Sequence, residues 1–214
     1  GVIGCGRIAQ AAHLPAIEKA SGVRLVAVSD PSERLSQGVG RQYGVRSFTD
    51  TAALLDLDLD AVLVATPDRF HLPLGLRAIA SGKHVLMEKP LASTSVEAQQ
   101  LVDAASSAGR LLQTGSMKRH DPGLEYARAN VQRIGRILSM TSWYRVMSRS
   151  RLAIQATLFP PVIVDESVRA VENGFKADSE RYRLATHGAH LFDGLRYFAG
   201  DLDWLSARSA TIAG

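Results

Sequence analysis

The sequence predicts an α/β fold in which a parallel sheet is covered by helices on both faces. Three observations predict it. Apolar runs alternate with helical segments at short spacing, and those runs are apolar throughout rather than at every second position. The chain also opens on a Gly-x-Gly-x-x-Ala loop, Gly4 to Ala9, of the kind that joins a buried parallel strand to a helix. Only Gly1, Val2 and Ile3 precede that loop, against the roughly five or six residues of an ordinary strand. The start therefore reads as cut.

Taken in order, Ile8 to Ala20 has helical composition, interrupted at Leu14-Pro15, and Gly22 to Asp30 is an apolar strand ending in an acid. Pro31 to Gly44 reads as a helix with proline in its first turn and a glycine stop. A short strand at VRSF, a helix through TDTAALLD and a buried strand from Leu59 to Pro67 follow. Next come a helix at HLPLGLRAIASG, a strand at HVLMEKP, a helix ending at Gly109 and a closing strand at RLLQTGSM. The pattern changes near residue 120, which divides the chain into a domain over 1–120 and a second over 121–214. Asp121 to Gly135 is a helix opened by Asp-Pro, and Arg136 to Ser148 alternates like an antiparallel strand with one covered face. Arg149 to Tyr182 has no clear period and reads as irregular, with a short strand at PVIVD. His187 to Gly200 is a helix with Leu191, Leu195 and Phe198 on one face, and LDWLSARSATI resembles a strand.

Composition excludes several classes. Of the 214 residues, 46% are hydrophobic and 21% charged, and no apolar run approaches a membrane span of roughly 20 residues. The formal charge of +4 is scattered among acids instead of gathered in a block, which argues against nucleic acid. Cys5 is the single cysteine, so no internal disulfide forms and a reducing, cytoplasmic setting is expected.

Three constellations carry chemistry. In the first, Gly4 permits a tight turn, Gly6 lets backbone approach a pyrophosphate and Ala9 lets the helix pack on the sheet. Asp30, at the end of the next strand, is placed to accept hydrogen bonds from a ribose diol; the two together read as a dinucleotide site. A carboxylate there favours NAD over NADP, while Ser32 and Arg34 nearby leave NADP open. Cys5 reads as a small loop residue. In the second, ATPDRFH and GKHVLMEKPLA both sit at strand ends, and Lys89 before Pro90 is costly there without a task, which makes it the first catalytic candidate. The bland alternative is a solvated charge beyond the strand. In the third, Thr186 is expected to cap a helix on which His187, His190 and Asp193 follow at three-residue steps. Imidazole there suits a general base, with a structural or surface histidine as the alternative; a metal site is not expected.

These motifs, with KRHDP at the start of the second part and HGAHLFDGLRYFAGD near the end, resemble the Gfo/Idh/MocA oxidoreductase family. Glu88-Lys89-Pro90 is its most specific mark. The resemblance implies a doubly wound Rossmann domain followed by an α+β domain with a mainly antiparallel sheet, here incomplete, so that the chain is expected to be a fragment. It implies hydride transfer between NAD or NADP and a secondary alcohol or ketone of a sugar, inositol or related polyol, in a protein that is a homo-oligomer when full length. By the same resemblance Lys89 bonds the reacting hydroxyl and His190 removes its proton. Gly4, Gly6, Arg7 and Ile8 meet the pyrophosphate, Asp30 the ribose, and Thr66, Pro67, His71 and Glu88 line the nicotinamide side. Thr186 stands where many members carry Asp. A cofactor-binding regulator without turnover, favoured by Thr186, and an NAD-dependent glycoside hydrolase of the same fold are the alternatives. Arg119, Tyr144, Arg145, Tyr182 and His187 are candidates for substrate contact or plain packing residues.

Overall fold

In the computed structural model, residues 1–143, 162–175, 182 and 184–203 are described. Six parallel strands form one sheet: β1 (Val2–Ile3), β2 (Ala27–Ser29), β3 (Arg46–Phe48), β4 (Ala61–Val64), β5 (His84–Met87) and β6 (Leu112–Thr114). Their order is β3-β2-β1-β4-β5-β6, with Val2 opposite both Val28 and Leu63. The chain thus winds outward in both directions from β1, and the loops leaving β1 and β4 flank the point where the winding reverses. This is the doubly wound sheet expected from the sequence.

The edge strands β3 (Arg-Ser-Phe) and β6 (Leu-Gln-Thr) bury no residue and are not apolar throughout, contrary to expectation, whereas the four inner strands carry buried apolar residues because each face of the sheet has its own core. Ile3, Ala27, Val62 and Val64 belong to one, with Leu101 and Met87; Val2, Val28 and Leu63 belong to the other, with Leu14 and Val39. Neighbours along a strand alternate between the two, as the pleat requires. Burying each such Val, Leu, Ile or Met side chain contributes about 1.5–3 kcal/mol before the entropy of ordering the chain is counted.

Helices α1 (Leu14–Lys19), α2 (Glu33–Tyr43), α3 (Thr51–Leu55), α4 (His71–Ala80) and α5 (Ser95–Ser107) form the crossovers. The starts of α2, α3 and α5 are set by short polar side chains: Ser32, Asp50 and Thr94 accept from the backbone N–H of Leu35, Ala52 and Glu97. The interruption expected at Leu14-Pro15 does not break the helix. A π-helical turn, Ala9–His13, runs directly into α1, so the helix changes from π to α spacing at Leu14, and Pro15 is the second residue of α1.

The described residues fall into two units, 1–115 with 162–175, Tyr182 and 184–186, and 116–143 with 187–203. In the first, the stretch read as irregular carries a helix, α7 (Glu166–Phe175), and no strand forms at 162–165. Asp165 starts this helix by accepting from the N–H groups of Ser167 and Val168. In the second unit, α6 (Pro122–Val131) begins at Asp121, which accepts from Gly123 and Leu124. The last helix, α8, is Ala189–Ala199. The strand expected from Arg136 is not present over 136–143; alternation yields a strand only beside a pairing partner, and the six strands above are the ones among the described residues. Residues 144–148 and most of LDWLSARSATI lie outside the described residues.

Candidate functional site

Every candidate in the first unit lies at the carboxyl ends of the parallel strands or in the segment 162–186. The loop after β1 is held by Gly4, whose φ of +95° and whose approach to the Ala65 carbonyl leave no room for a side chain: a Cβ would stand 2.6 Å from that oxygen. Gly6 is the opposite case, since a Cβ there would meet no protein atom within 4 Å. One glycine makes the turn, and the other keeps open the space in front of a helix N-terminus. Arg7 and Ile8 open that helix and are exposed.

Asp30 pins this loop to β2. Its Oδ2 accepts from the Cys5 N–H at 2.8 Å and its Oδ1 from the Ser32 N–H at 2.9 Å. Burial pushes its carboxyl above the ordinary range, against the pull of those two bonds, and the nearby Asp165 adds to the rise. Each oxygen keeps a lone pair for a further donor, as a ribose diol would require. Burial and Asp30 push the Cys5 thiol up to about 12, so it is not a thiolate at neutral pH.

Around β4 and β5, His71 is fully buried and joins two loops: Nδ1 faces the Pro90 carbonyl at 2.7 Å and Nε2 the Thr66 carbonyl at 2.9 Å. It therefore sits beneath Thr66 and Pro90 and sets their spacing. The Thr66 hydroxyl is buried without a hydrogen-bond partner among the described residues. Glu88 accepts from the Lys89 N–H at 2.9 Å and pairs with His13 Nε2 at 2.8 Å. Burial works against ionisation of Glu88, yet the His13 bond and charge, with Lys89, hold its carboxyl below the ordinary range. The Lys89-Pro90 peptide is cis, and Lys89 Nζ donates to the Thr186 carbonyl at 3.3 Å.

Thr186 does not cap the last helix as expected. It lies in a π-helical turn, Leu184–Gly188, and its hydroxyl donates to the Tyr182 carbonyl one turn back at 2.6 Å. The backbone of Thr186, not its side chain, is what meets Lys89.

In the second unit, Arg119 grips Asp193 with two nitrogens, at 2.6 and 3.0 Å, and its guanidinium stands over the Tyr197 ring. Asp193 is thus an ion-pair partner, and among the described residues no group of three or more His, Cys, Asp or Glu is disposed to hold a metal. His187 belongs to the π turn, and His190 lines a cavity of about 410 Å³ with Met140, Trp143, Leu191, Leu195 and Phe198. Tyr144 and Arg145 lie outside the described residues.

Residues 1–116 match the family model for the Gfo/Idh/MocA group, described as an oxidoreductase family with an NAD-binding Rossmann fold. The chain belongs to that family. Inositol 2-dehydrogenase 2 of Saccharopolyspora erythraea is 41% identical over 151 residues, covering 68% of this chain and 44% of that protein. Among solved structures, the 3-ketoreductase KijD10 of Actinomadura kijaniata, in complex with NADP and TDP-benzene, superposes with a TM-score of 0.59 at 32% identity, over 62% of this chain and 41% of that one. The WlbA dehydrogenase of Bordetella pertussis, in complex with NADH and UDP-GlcNAcA, gives 0.61 at 29%, over 64% and 40%. The Gfo/Idh/MocA chain described here therefore spans under half the length of these relatives.

Sequence reasoning missed three residues that brace the segments around this site. Gln10 clamps Ile163 by accepting from its N–H at 2.7 Å and donating to its carbonyl at 3.0 Å, while also donating to Cys5 O. His13 and Asp165 are the others. Their partners lie 75 to 153 residues away, and no local spacing marks them.

Proposed function

We propose that the full-length protein transfers hydride between NAD or NADP and a secondary alcohol or ketone of a sugar, inositol or related polyol. The observation that carries this reading is the joint disposition of an open Gly6 cradle, a buried Asp30 and an unpartnered buried Thr66 hydroxyl around the reversal point of the sheet. Those groups fit a dinucleotide: Gly4, Gly6, Arg7 and Ile8 toward the pyrophosphate, Asp30 toward the ribose, and Thr66, Pro67, Glu88 and Lys89 toward the nicotinamide. His71, on this reading, positions Thr66 and Pro90 from beneath. Nicotinamide supplies the hydride acceptor or donor when bound. Lys89 donates a hydrogen bond to the reacting oxygen and stabilises charge as it develops there, and His190 takes the hydroxyl proton. His187 and Arg119 stand as substrate contacts, and Thr186 holds Lys89 through its carbonyl.

The reading includes a cytoplasmic homo-oligomer acting on a small molecule, with neither nucleic acid nor membrane as partner. The compartment is argued from the single buried cysteine and the exclusion of nucleic acid from the dispersed charge, while the oligomer is what the family resemblance implies; among the described residues no helix is long and apolar enough to cross a bilayer. A second reading, cofactor binding without turnover, is favoured by the Thr186 hydroxyl, which is turned onto Tyr182. Nicotinamide absorbance across a panel of inositols, aldoses, uronic acids and glycosides separates the two. Turnover that falls about a thousandfold in Lys89→Ala supports the dehydrogenase; dinucleotide binding with no turnover on any member supports the regulator.

A further inference from the structure

We infer that Asp165 is a second determinant of cofactor choice, setting a carboxylate beside Ser32 that turns the ribose end of the site against the 2′-phosphate of NADP. The inference rests on the dinucleotide reading above and extends it to a residue 133 positions from Ser32 in the chain.

Ser32 stands between two carboxylates. Its backbone N–H donates to Asp30 Oδ1 at 2.9 Å, and its hydroxyl donates to Asp165 Oδ2 at 2.6 Å. The same hydroxyl accepts from the Leu35 N–H as the cap of α2, so its one proton is committed to Asp165. A 2′-phosphate entering beside Asp30 needs donors, and the hydroxyl best placed to be one is already engaged. It also carries a charge near −2, and would meet the Asp165 carboxylate as well as that of Asp30. The diol of NAD carries no charge and meets no such penalty.

Asp165 is held in place from its other side. Oδ1 accepts from the Ser167 hydroxyl at 2.6 Å and from the N–H groups of Ser167 and Val168 at the start of α7. Hydrogen bonds from Ser167 and Ser32 hold its carboxyl down at about 2, so it is ionised at any pH where the protein works. The segment is anchored further by the Gln10 clamp on Ile163 and by the Arg69–Glu172 pair on α7. Arg34, exposed in the first turn of α2, is a cation that favours a phosphate.

The test is calorimetric titration of the full-length protein with NAD and with NADP, for wild type, Asp165→Asn and Asp165→Ser. Serine retains a cap for α7 without the charge, and melting curves report whether each variant folds. The expected result is a gain in NADP affinity of about tenfold with NAD affinity held within about twofold. In wild type, raising the salt concentration narrows the gap between the two nucleotides, because screening weakens the repulsion whether or not a variant folds. An unchanged NADP to NAD ratio in folded variants, or a wild-type ratio indifferent to salt, overturns the role of Asp165 and leaves the dinucleotide reading standing. Wild type that binds neither nucleotide overturns both.

Discussion

The two units use apolar residues differently. In the first, the four inner strands of a six-stranded sheet bury side chains on both faces, and Leu54, Met87 and Leu101 are shielded completely. In the second, α6 and α8 bury no residue fully, and Tyr126, Ile134, Leu138 and Trp143 are all more than 70% exposed. Among the described residues of this chain, the difference is whether another element covers each apolar face. Hydrophobic pattern states what a segment needs, and burial follows only where another element supplies it.

Substitutions at matched positions sharpen this contrast. Leu101→Ala should cost about 2–5 kcal/mol, read as a shift in denaturant midpoint, since its side chain fills the space against Gly75. Gly4→Ala should cost about 2 kcal/mol through its positive φ and the Ala65 carbonyl, and should abolish dinucleotide binding in the same titration. His13→Leu should cost about 1 kcal/mol at neutral pH by removing the bond to Glu88. Because Glu88 is depressed in the folded chain, its contribution is complete above the ordinary carboxylate value and is lost as pH falls through the lower folded value. The difference between wild type and His13→Leu should therefore close on acidification; a gap constant with pH would reassign His13 to packing. Asp30 has the reverse sign: raised in the fold, it favours the native state at low pH, and that support is lost as pH rises through the folded value. The smallest effect is expected for Leu195→Ala in α8, below about 1 kcal/mol, because its side chain lines an open cavity. A cost as large as that of Leu101→Ala would erase the distinction between the units.

Most of the first unit was legible in the sequence because apolar runs alternate with helical segments and α2, α3 and α5 each begin with a capping side chain. Gly4, Asp30, Thr66 and Glu88 all stand where the alternation of strand and helix puts them. Helix α7 escaped detection because it lies in a stretch of scattered charges after Phe-Pro-Pro, and its ten residues give the period little room. Thr186 was assigned a cap on local spacing alone, and the π turn redirected its hydroxyl. Contacts such as His13 with Glu88 and Ser32 with Asp165 depend on how separate segments pack, which no window of sequence contains.

The Gln10 clamp has an evolutionary consequence. Its amide reads only the N–H and carbonyl of residue 163, so it is blind to which side chain that residue bears. What constrains position 163 comes from elsewhere: Ile163 lies where a Cβ on Gly38 would meet its Cδ1 at 2.6 Å. Among descendants of this sequence, positions 38 and 163 should drift together, a larger residue at one matched by a smaller at the other, while glutamine at position 10 stays fixed and covaries with neither.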